Sequence, residues 1–343
     1  MAKEHSMAKR HINFKRIVHR SMEELNATMK IAKVTSWKNA MVTLIAKVDL
    51  QIISLKKRYY ESQKTKHHFI KKHQIMMEYY EKTFSDFLST YPYNHTIPSN
   101  YEDMSDCIWV CWWQGLDNAP EIVKRCVDSI RRNAGSHRVI ILTDENYKDY
   151  VHIPKWIEEK RKKGIITKTN YSDLLRLCLL AEHGGMWLDA TFYCTQCLDE
   201  YFNLPLWSIK RPDYAHASVA SGYFAGYSLL CDSSHRWIFQ IIRDFFLNYW
   251  KNNDDMVDYL MIDYMIVLAQ QKDREIEEAF KKIPPNNPCC DELYNILGEP
   301  FDELTWKNLK KETSLFKLSW KHEFPKEKNG VETFYGNLLN GCL

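Results

Sequence analysis

Residues 170–191 read NYSDLLRLCLLAEHGGMWLDAT, and this stretch decides the fold. Its first part has the apolar spacing of an amphipathic helix, which we predict from Tyr171 to His183. The pair Gly184-Gly185 ends that helix, since glycine readily adopts the conformation that follows a last helical turn. The next apolar triplet predicts a short strand leading into Asp189. Ligands bind at the carboxyl ends of strands in open α/β sheets, so Asp189 stands at a predicted binding edge.

Polar side chains at the start of this helix complete the pattern. We expect Ser172 to be a cap or first-turn residue, where backbone N–H groups form a ready site for anions. Asp173 and Arg176 are three residues apart and share one face of the helix. Taken alone, they could be a surface ion pair worth roughly a few tenths of a kcal/mol. Followed by two glycines and Asp189, they are candidate site residues instead.

The residues upstream predict a parallel sheet. Residues 107–113 form a continuous apolar run, as in a buried strand, with Trp112 and Trp113 at alternating positions of it. Residues 119–133 have a helical pattern, and residues 137–142 form a second apolar strand. Strand, helix and strand within about 35 residues make a βαβ unit, which implies parallel strands covered by helices.

Helical periodicity marks the N-terminal part of the chain and two later segments. It extends from about Ser36 to Tyr91, and again over about 234–250 and 256–269. A linker containing proline and asparagine, residues 91–106, follows the first of these segments. We therefore predict a basic helical N-terminal region, residues 1–100, and an α/β domain, residues 101–343.

Charge is distributed unevenly along the chain. Residues 1–72 contain 17 Lys and Arg against 5 Asp and Glu, whereas residues 73–343 contain 30 against 39. Such a basic arm could pack on the rest of the chain as helical support, dock on an anionic membrane, or recruit protein partners. Nucleic-acid binding is disfavoured, because no recognition motif accompanies the charge.

The chain contains 10 cysteines in no regular framework, with a single C-x-x-C pair at Cys194 and Cys197. No second pair completes a zinc site, so we expect reduced thiols. The first 20 residues are polar and basic, which argues against a secretory signal. No run of about 18 apolar residues is present to span a membrane. We therefore predict a cytoplasmic protein, with peripheral attachment to the inner face of the cell membrane as one alternative.

A carboxylate that follows a buried strand has a specific chemical use. Asp189 could hold a hard divalent cation, which in turn binds two phosphates. A nucleoside-diphosphate leaving group needs such an arrangement, because charge develops on it when the sugar–phosphate bond breaks.

The order of these motifs resembles that in capsular polysaccharide synthesis proteins related to glycosyltransferase family 32, which are sugar transferases with a DXD motif. The likeness is carried by Ser-Asp-x-x-Arg, the two glycines, the apolar triplet and Asp189. The run IWVCWWQG (108–115) resembles the first strand of that family, and KLSWKH (317–322) resembles its C-terminal motif. Together these motifs span roughly residues 106–322.

This resemblance implies a GT-A-type fold, which is a Rossmann-like mixed sheet with flanking helices. It also implies hexosyl transfer from a nucleotide sugar, with Mn²⁺ or Mg²⁺ as the cofactor and with retention of anomeric configuration. The acceptor would be a bacterial capsular polysaccharide, another oligosaccharide or a lipid-linked glycan precursor. The alternative is a catalytically silent binding or scaffold protein that keeps the fold.

The resemblance further implies roles for individual residues. Asp173 and Arg176 would contact the donor sugar, its nucleoside or its phosphates. Asp189 would be the metal-side carboxylate, and His322 would approach the metal or the diphosphate. The remaining residues expected to contact the nucleotide sugar are Trp109, Gln114, Gly115, Ser172, Gly185, Lys317 and Lys321.

Thr191 and Asp263 are the two candidate site residues whose surroundings in the sequence are unusual. Thr191 stands where a second metal-binding carboxylate is expected, and its hydroxyl is a poor metal ligand that could hydrogen-bond a phosphate instead. Asp263 lies in an apolar helical run, and a buried carboxylate is costly unless it is paired. We expect Asp263 either to face the cavity as a catalytic contact to the acceptor or to lie at a helix boundary. Residues 221–224 could likewise form an acceptor wall or an ordinary turn.

Overall fold

The structure is a computed structural model that describes residues 14–54, 60–97 and 100–343. Residues 1–13 and 55–59 of the basic arm lie outside this range. The helices are α1 (Phe14–Val34), α2 (Trp37–Ser54), α3 (Gln63–Thr83), α4 (Ser85–Thr90), α5 (Glu121–Arg132), α6 (Lys155–Lys162), α7 (Lys168–Glu182), α8 (Asp199–Phe202), α9 (Arg236–Asn252), α10 (Met261–Lys272), α11 (Arg274–Lys282), α12 (Glu292–Ile296), α13 (Glu303–Lys310) and α14 (Phe334–Asn340). The strands are β1 (Cys107–Cys111), β2 (Arg138–Leu142), β3 (Gly185–Leu188), β4 (Phe192–Cys194), β5 (Leu206–Ser208), β6 (Ser228–Cys231), β7 (Leu315–Lys317), β8 (Glu327–Lys328) and β9 (Val331–Glu332).

A five-stranded mixed sheet has the order β2-β1-β3-β6-β5. Strand β1 pairs in parallel with β2 and β3, whereas β6 pairs antiparallel with β3 and β5. The predicted βαβ unit is therefore confirmed, with α5 as its crossover helix. The first strand ends at Cys111, so the prediction that Trp112 and Trp113 alternate within it was wrong. The backbone turns there, because Gly115 N donates to the Trp112 carbonyl at 2.9 Å.

Helix α7 is the central helix of the fold. It begins at Lys168, three residues before the predicted start, and nearly all of its side chains from Asn170 onward are buried. It packs between α9 and the sheet strand β3, so its polar residues are enclosed rather than exposed. Gly184 and Gly185 follow it with φ of +76° and +88°, a backbone conformation that favours glycine. The chain thereby leaves α7 and enters β3 directly, as the sequence predicted.

A two-stranded sheet brings the C-terminal part of the chain to the end of β3. Strands β4 and β7 pair antiparallel, with Phe192 opposite Lys317. The Leu318 N–H also donates to the Thr191 carbonyl at 2.9 Å. Residues 189–191 and 317–318 are therefore neighbours, although more than 120 positions separate them in the sequence.

The N-terminal helices lie against the later helices of the chain. In α3, His73 Nδ1 lies 2.7 Å from the Tyr264 hydroxyl, and the buried Lys72 ammonium lies 2.8 Å from Asp258. Apolar residues of α1 and α3 belong to the same core cluster as the sheet. Packing as helical support, one of the alternatives for the basic arm, therefore applies to its described part. The division at residue 100 stays a prediction.

Several boundaries differ from the predicted ones. Helices α2 to α4 fill the predicted helical segment 36–91, and the described residues between Tyr91 and Asp106 contain neither helix nor strand. Helices α9 and α10 begin at Arg236 and Met261, later than predicted. All ten cysteines are free, as expected for reduced thiols.

The described part of the chain contains no helix with both the length and the apolar character needed to cross a bilayer. Its architecture is a mixed sheet flanked by helices and preceded by helices α1 to α4, which agrees with the predicted GT-A-type class.

Candidate active site

A cavity of about 590 Å³ opens at the carboxyl ends of β1 and β3. Ligands bind at this edge in open α/β sheets, and the volume is within the usual range for small-molecule sites. The cavity brings together most of the residues selected from the sequence. Those that line it are Gln114, Ser172, Asp173, Arg176, Asp189, Thr191, Asp263, Lys317 and Lys321.

Asp189 directly follows β3 and receives three donors. Trp187 Nε1 donates to Oδ1 at 3.0 Å, and Arg176 Nη2 lies 3.3 Å from the same oxygen. The Lys317 ammonium lies 2.8 Å from Oδ2. Burial alone would raise the pKa of Asp189, but Lys317 and Arg176 outweigh that effect and hold it below its ordinary value. The carboxylate therefore stays ionised at neutral pH.

The Lys317 ammonium occupies the space between Asp189 and Thr191. It lies 2.8 Å from Asp189 Oδ2 and 2.7 Å from Thr191 Oγ1. The rings of Phe192 and Tyr227 flank it, each with its centroid 5.3 Å from Nζ. The pairing of β4 with β7 fixes the backbone of Lys317 next to Thr191, so Lys317 is part of the site together with Asp189.

Arg176 connects the two acidic residues of the predicted motif. Its Nη2 lies 3.5 Å from Asp173 Oδ1 and 3.3 Å from Asp189 Oδ1, and Nη1 donates to the Gly226 carbonyl. Both Asp173 and Arg176 are buried, so the alternative of a solvated surface pair was wrong. Burial raises the pKa of Asp173 to about 6, with Arg176 opposing the shift and Asp189 adding to it.

Asp263 lies in the first turn of α10 and has a different environment. Its Oδ1 is buried and has no hydrogen-bond partner among the residues that the structure describes. Burial, reinforced by the charge of Asp173, raises the pKa of Asp263 to about 7. A Cβ atom at position 226 would lie 2.5 Å from this oxygen, so only glycine permits the close approach. Asp263 lines the cavity and also lies at the boundary of a helix, so both predicted placements apply, and its contact with an acceptor stays a prediction.

A second cavity, of about 600 Å³, lies next to the first. The two share a wall, and the second cavity extends to α2 and α3, which contribute Lys47, Leu50 and Lys72. The shared wall consists of Gly226, Tyr227, Tyr259, Leu260 and Asp263. Sequence reasoning did not select the aromatic members of this wall, because no motif surrounds them. Of the predicted turn at residues 221–224, Gly222 and Phe224 line the second cavity.

Ser172 lines the cavity but is not the cap or first-turn residue that the sequence predicted. Thr167 caps α7 by accepting from the Asn170 N–H, so Ser172 lies in the second turn of the helix. Its hydroxyl donates to the Lys168 carbonyl at 3.0 Å and accepts from Trp113 Nε1 at 2.8 Å. The backbone N–H groups near Ser172 are engaged within the helix, so the predicted anion site at that point was wrong.

Three residues of the predicted nucleotide site do not line this cavity, and their contacts stabilise the fold. Trp109 is fully buried, and its Nε1 donates to the Gly184 carbonyl at 2.9 Å. A Cβ atom on Gly185 would lie 2.6 Å from the Cys107 carbonyl oxygen, so this glycine allows β1 and β3 to approach. Gly115 has a φ of +75° at the turn after β1 but does not line the cavity, whereas Gln114 does.

The described residues alone do not supply a complete ligand set for Mn²⁺ or Mg²⁺, and the expected metal cofactor stays a prediction. His322 is exposed and lies outside the cavity lining. Within residues 14–54, 60–97 and 100–343, no group of three or more His, Cys, Asp or Glu side chains could hold a metal ion. Hard divalent cations prefer several oxygen ligands. Here a single carboxylate and a threonine hydroxyl already share the ammonium of Lys317.

Comparison with known proteins adds one finding. A family model described as capsular polysaccharide synthesis protein matches residues 56–338. Neither the curated proteins nor the solved structures gave a match. The matched range contains every residue that lines the first cavity. The match covers well over half of the chain, and the chain therefore belongs to the capsular polysaccharide synthesis protein family.

Proposed function

We propose that this protein transfers a sugar from a nucleotide-sugar donor to a glycan acceptor during capsule synthesis. The observation that carries the proposal is the contact of Lys317 and Arg176 with Asp189 at the edge of the sheet where α/β proteins bind ligands. The family supports a role in capsule synthesis, and the chemistry of this edge supports sugar transfer as the reaction.

The cations of the first cavity fit a diphosphate leaving group. Lys168, Arg176, Lys317 and Lys321 all line the cavity. When the sugar–phosphate bond breaks, negative charge grows on the diphosphate oxygens. Cations already held in position stabilise that charge without reorganising, and Asp189 holds two of the four, Arg176 and Lys317, in place.

Lys317 takes the electrostatic role in this proposal that Mn²⁺ or Mg²⁺ was expected to have. Its ammonium stands between Asp189 and Thr191, the positions from which a metal-binding motif would act. Thr191 then serves as a neutral hydrogen-bonding partner, which explains how the site tolerates the loss of a second carboxylate.

The acceptor enters from the second cavity in this proposal. Asp263 lies on the wall that the two cavities share, where an acceptor hydroxyl could meet the donor sugar. With a pKa of about 7, its carboxyl is partly ionised at neutral pH and can accept a proton from that hydroxyl. Retention at the anomeric carbon stays a prediction, which the coupling constant of the anomeric proton in the product would test.

A donor screen tests the proposal. A nucleotide sugar at 100 times its dissociation constant adds about 2.7 kcal/mol to the unfolding free energy, so its binding raises the melting temperature. For the donor found in this way, release of nucleoside diphosphate measures turnover. Asp189→Ala should lower turnover by about 10²–10³-fold, since it frees both cations from their positions. Asp128→Ala, a position in α5 whose side chain is 46% exposed, is the matched control.

Two outcomes contradict different parts of the proposal. If no nucleotide sugar binds or turns over, sugar transfer is wrong and the alternative of a silent scaffold protein gains support. If EDTA abolishes turnover and Mn²⁺ restores it, sugar transfer stands but the role given to Lys317 is wrong. Turnover that EDTA leaves unchanged supports both parts.

A further inference from the structure

Two consecutive N-terminal helices carry a row of exposed apolar side chains. Each of these side chains is between 37% and 65% exposed, although each is large and hydrophobic. We call this surface the apolar stripe. Its members are Met22, Leu25 and Met29 of α1 and Trp37, Met41, Ile45, Val48 and Ile52 of α2.

The spacing of the apolar stripe is that of one helix face. On α2 its members follow one another at steps of four, four, three and four residues, which keeps them on one side of the helix. The opposite side of α2 is buried through Ala40, Thr43, Ala46 and Ile53. Helix α2 is therefore apolar on both sides, and only one of those sides has a partner among the described residues.

Single exposed apolar residues are ordinary, but a contiguous set on adjacent helices marks an interaction surface. Of the 17 exposed large hydrophobic residues in the described part of the chain, eight belong to the apolar stripe. The members of the apolar stripe are therefore more than single exposed residues scattered over the surface.

The charge around the apolar stripe identifies the kind of partner. Lys33 and Lys38 are exposed near the junction of α1 and α2. The sequence before α1 and after α2 is also basic, with three Lys and Arg against one acidic residue in residues 1–13 and three Lys and Arg in residues 56–58. Apolar side chains on one helix face with lysine and arginine around them are typical of helices that lie in the interface of an anionic bilayer. Trp37, the most exposed member, is of the residue type enriched at that depth.

We propose that the apolar stripe docks α1 and α2 in the plane of an anionic lipid surface. This proposal concerns a surface outside the matched family range and does not depend on sugar transfer. The inward side of α2 contributes Lys47 and Leu50 to the second cavity. A helix with its side chains is about 10–12 Å across, so docking would bring that cavity within about one helix diameter of the lipid headgroups.

Vesicle sedimentation with the full chain tests the proposal. The vesicles contain either phosphatidylcholine alone or equal amounts of phosphatidylcholine and phosphatidylglycerol. We expect the protein to sediment with the anionic vesicles, less at high salt and least with phosphatidylcholine alone, because salt screens the attraction of the basic residues. The double variant Ile45→Glu/Val48→Glu should bind at least about ten-fold more weakly, since it removes two apolar side chains from the contact.

Matched variants separate docking from misfolding. Leu304→Glu/Val331→Glu changes two apolar residues outside the apolar stripe that are more exposed than Ile45 and Val48, and it should bind like the unchanged protein. Ile45→Ser/Val48→Ser is an uncharged second variant that should also bind more weakly. Circular dichroism melting shows whether each variant is folded, and only folded variants are compared.

Three results would overturn the proposal. The first is that the unchanged protein stays in the supernatant with both kinds of vesicle. The second is that both folded stripe variants sediment as strongly as the unchanged protein. The third is that the protein forms a dimer in solution without lipid which the stripe variants dissociate, because a second copy of the chain would then cover the apolar stripe.

Discussion

The two sides of the first cavity hold their carboxylates in opposite ways. On the sheet side, Asp189 is kept ionised by Lys317 and Arg176, and its pKa lies below the ordinary value. On the helix side, Asp263 lacks a hydrogen-bond partner for Oδ1 among the described residues, and its pKa is raised to about 7. The sheet side is thus suited to keeping a permanent charge on Asp189, and the helix side to the gain and loss of a proton by Asp263. The difference comes from neighbouring charges and burial rather than from the residue type, which is the same.

We expect the largest effect from a substitution of Asp263 on the helix side. Asp263→Asn cannot accept a proton, so transfer to the acceptor should fall by about 10²–10⁴-fold. In the unchanged protein, transfer should rise with pH through about 7, as the carboxyl loses its proton. That rise should be absent in the variant. Initial rates of transfer across pH 5 to 9 measure both effects, and an unchanged pH profile in the variant would show that another group is the base.

A stability measurement checks the raised pKa of Asp263 independently. The folded pKa exceeds the ordinary value near 3.8, so the folded state holds this proton more strongly than the unfolded state does. The stabilising contribution is complete below about pH 4 and falls as pH rises to about 7. The melting temperature of Asp263→Asn, relative to the unchanged protein, should therefore increase between pH 4 and pH 8.

We expect the next largest effect from a substitution of Lys317 on the sheet side. Lys317→Met keeps the length of the side chain but removes its charge, and donor turnover should fall by about 10²–10³-fold. Lys317→Arg should retain more activity than Lys317→Met, because it keeps a cation there. Lys328→Met, which removes a surface ion pair with Glu299, is the control. Release of nucleoside diphosphate measures the effect, and full turnover in folded Lys317→Met would exclude the assigned role.

A third change acts on the boundary between the two sides. In Gly226→Ala, the added methyl group would lie 2.5 Å from Asp263 Oδ1 and displace that carboxyl. A shift of about 1 Å at a reacting group can reduce a rate about 10²-fold, so transfer to the acceptor should fall by about 10–10²-fold. Donor hydrolysis by water should change less, since the sheet side is kept. Equal losses in both reactions would contradict the separation of the two sides.

The smallest effect concerns Thr191. Thr191→Val removes the hydroxyl that lies 2.7 Å from Lys317 Nζ, while Asp189 still holds the ammonium. A single neutral hydrogen bond contributes about 0.5–1.5 kcal/mol, so turnover should fall by no more than about ten-fold. Steady-state rates of nucleoside diphosphate release measure it. A loss as large as that of Lys317→Met would mean that Thr191 contacts the donor itself.

The parts of the fold that depend on residues close together in the sequence could be predicted from the sequence. Strands β1, β2 and β3 follow from short apolar runs, and the two glycines mark the end of α7. The start of α7 was placed too late, because Thr167 and Ser172 are both suitable caps and only tertiary packing selects the first. The apolar run that contains Trp109 could not reveal which of its side chains face the cavity.

The electrostatics of the site could be predicted only in part. Asp173, Arg176 and Asp189 lie within one local motif, and the structure brings them together as expected. The position of the Lys317 ammonium depends on the register of β4 with β7, which no local pattern determines. The second cavity is lined by residues from distant parts of the chain, so no local sequence motif predicted it.

The pairing of β4 with β7 also has a consequence for how the protein is made. Asp189 and Lys317 are 128 positions apart, so the ribosome synthesises the carboxylate long before the lysine that pairs with it. A nascent chain that has folded its sheet but lacks β7 would hold Asp189 with Arg176 alone, and its first cavity would lack the Lys317 ammonium. Under the proposed function, such a chain should bind the diphosphate of a nucleotide sugar more weakly than the finished protein does. Efficient use of the donor would then require that β7 has joined β4.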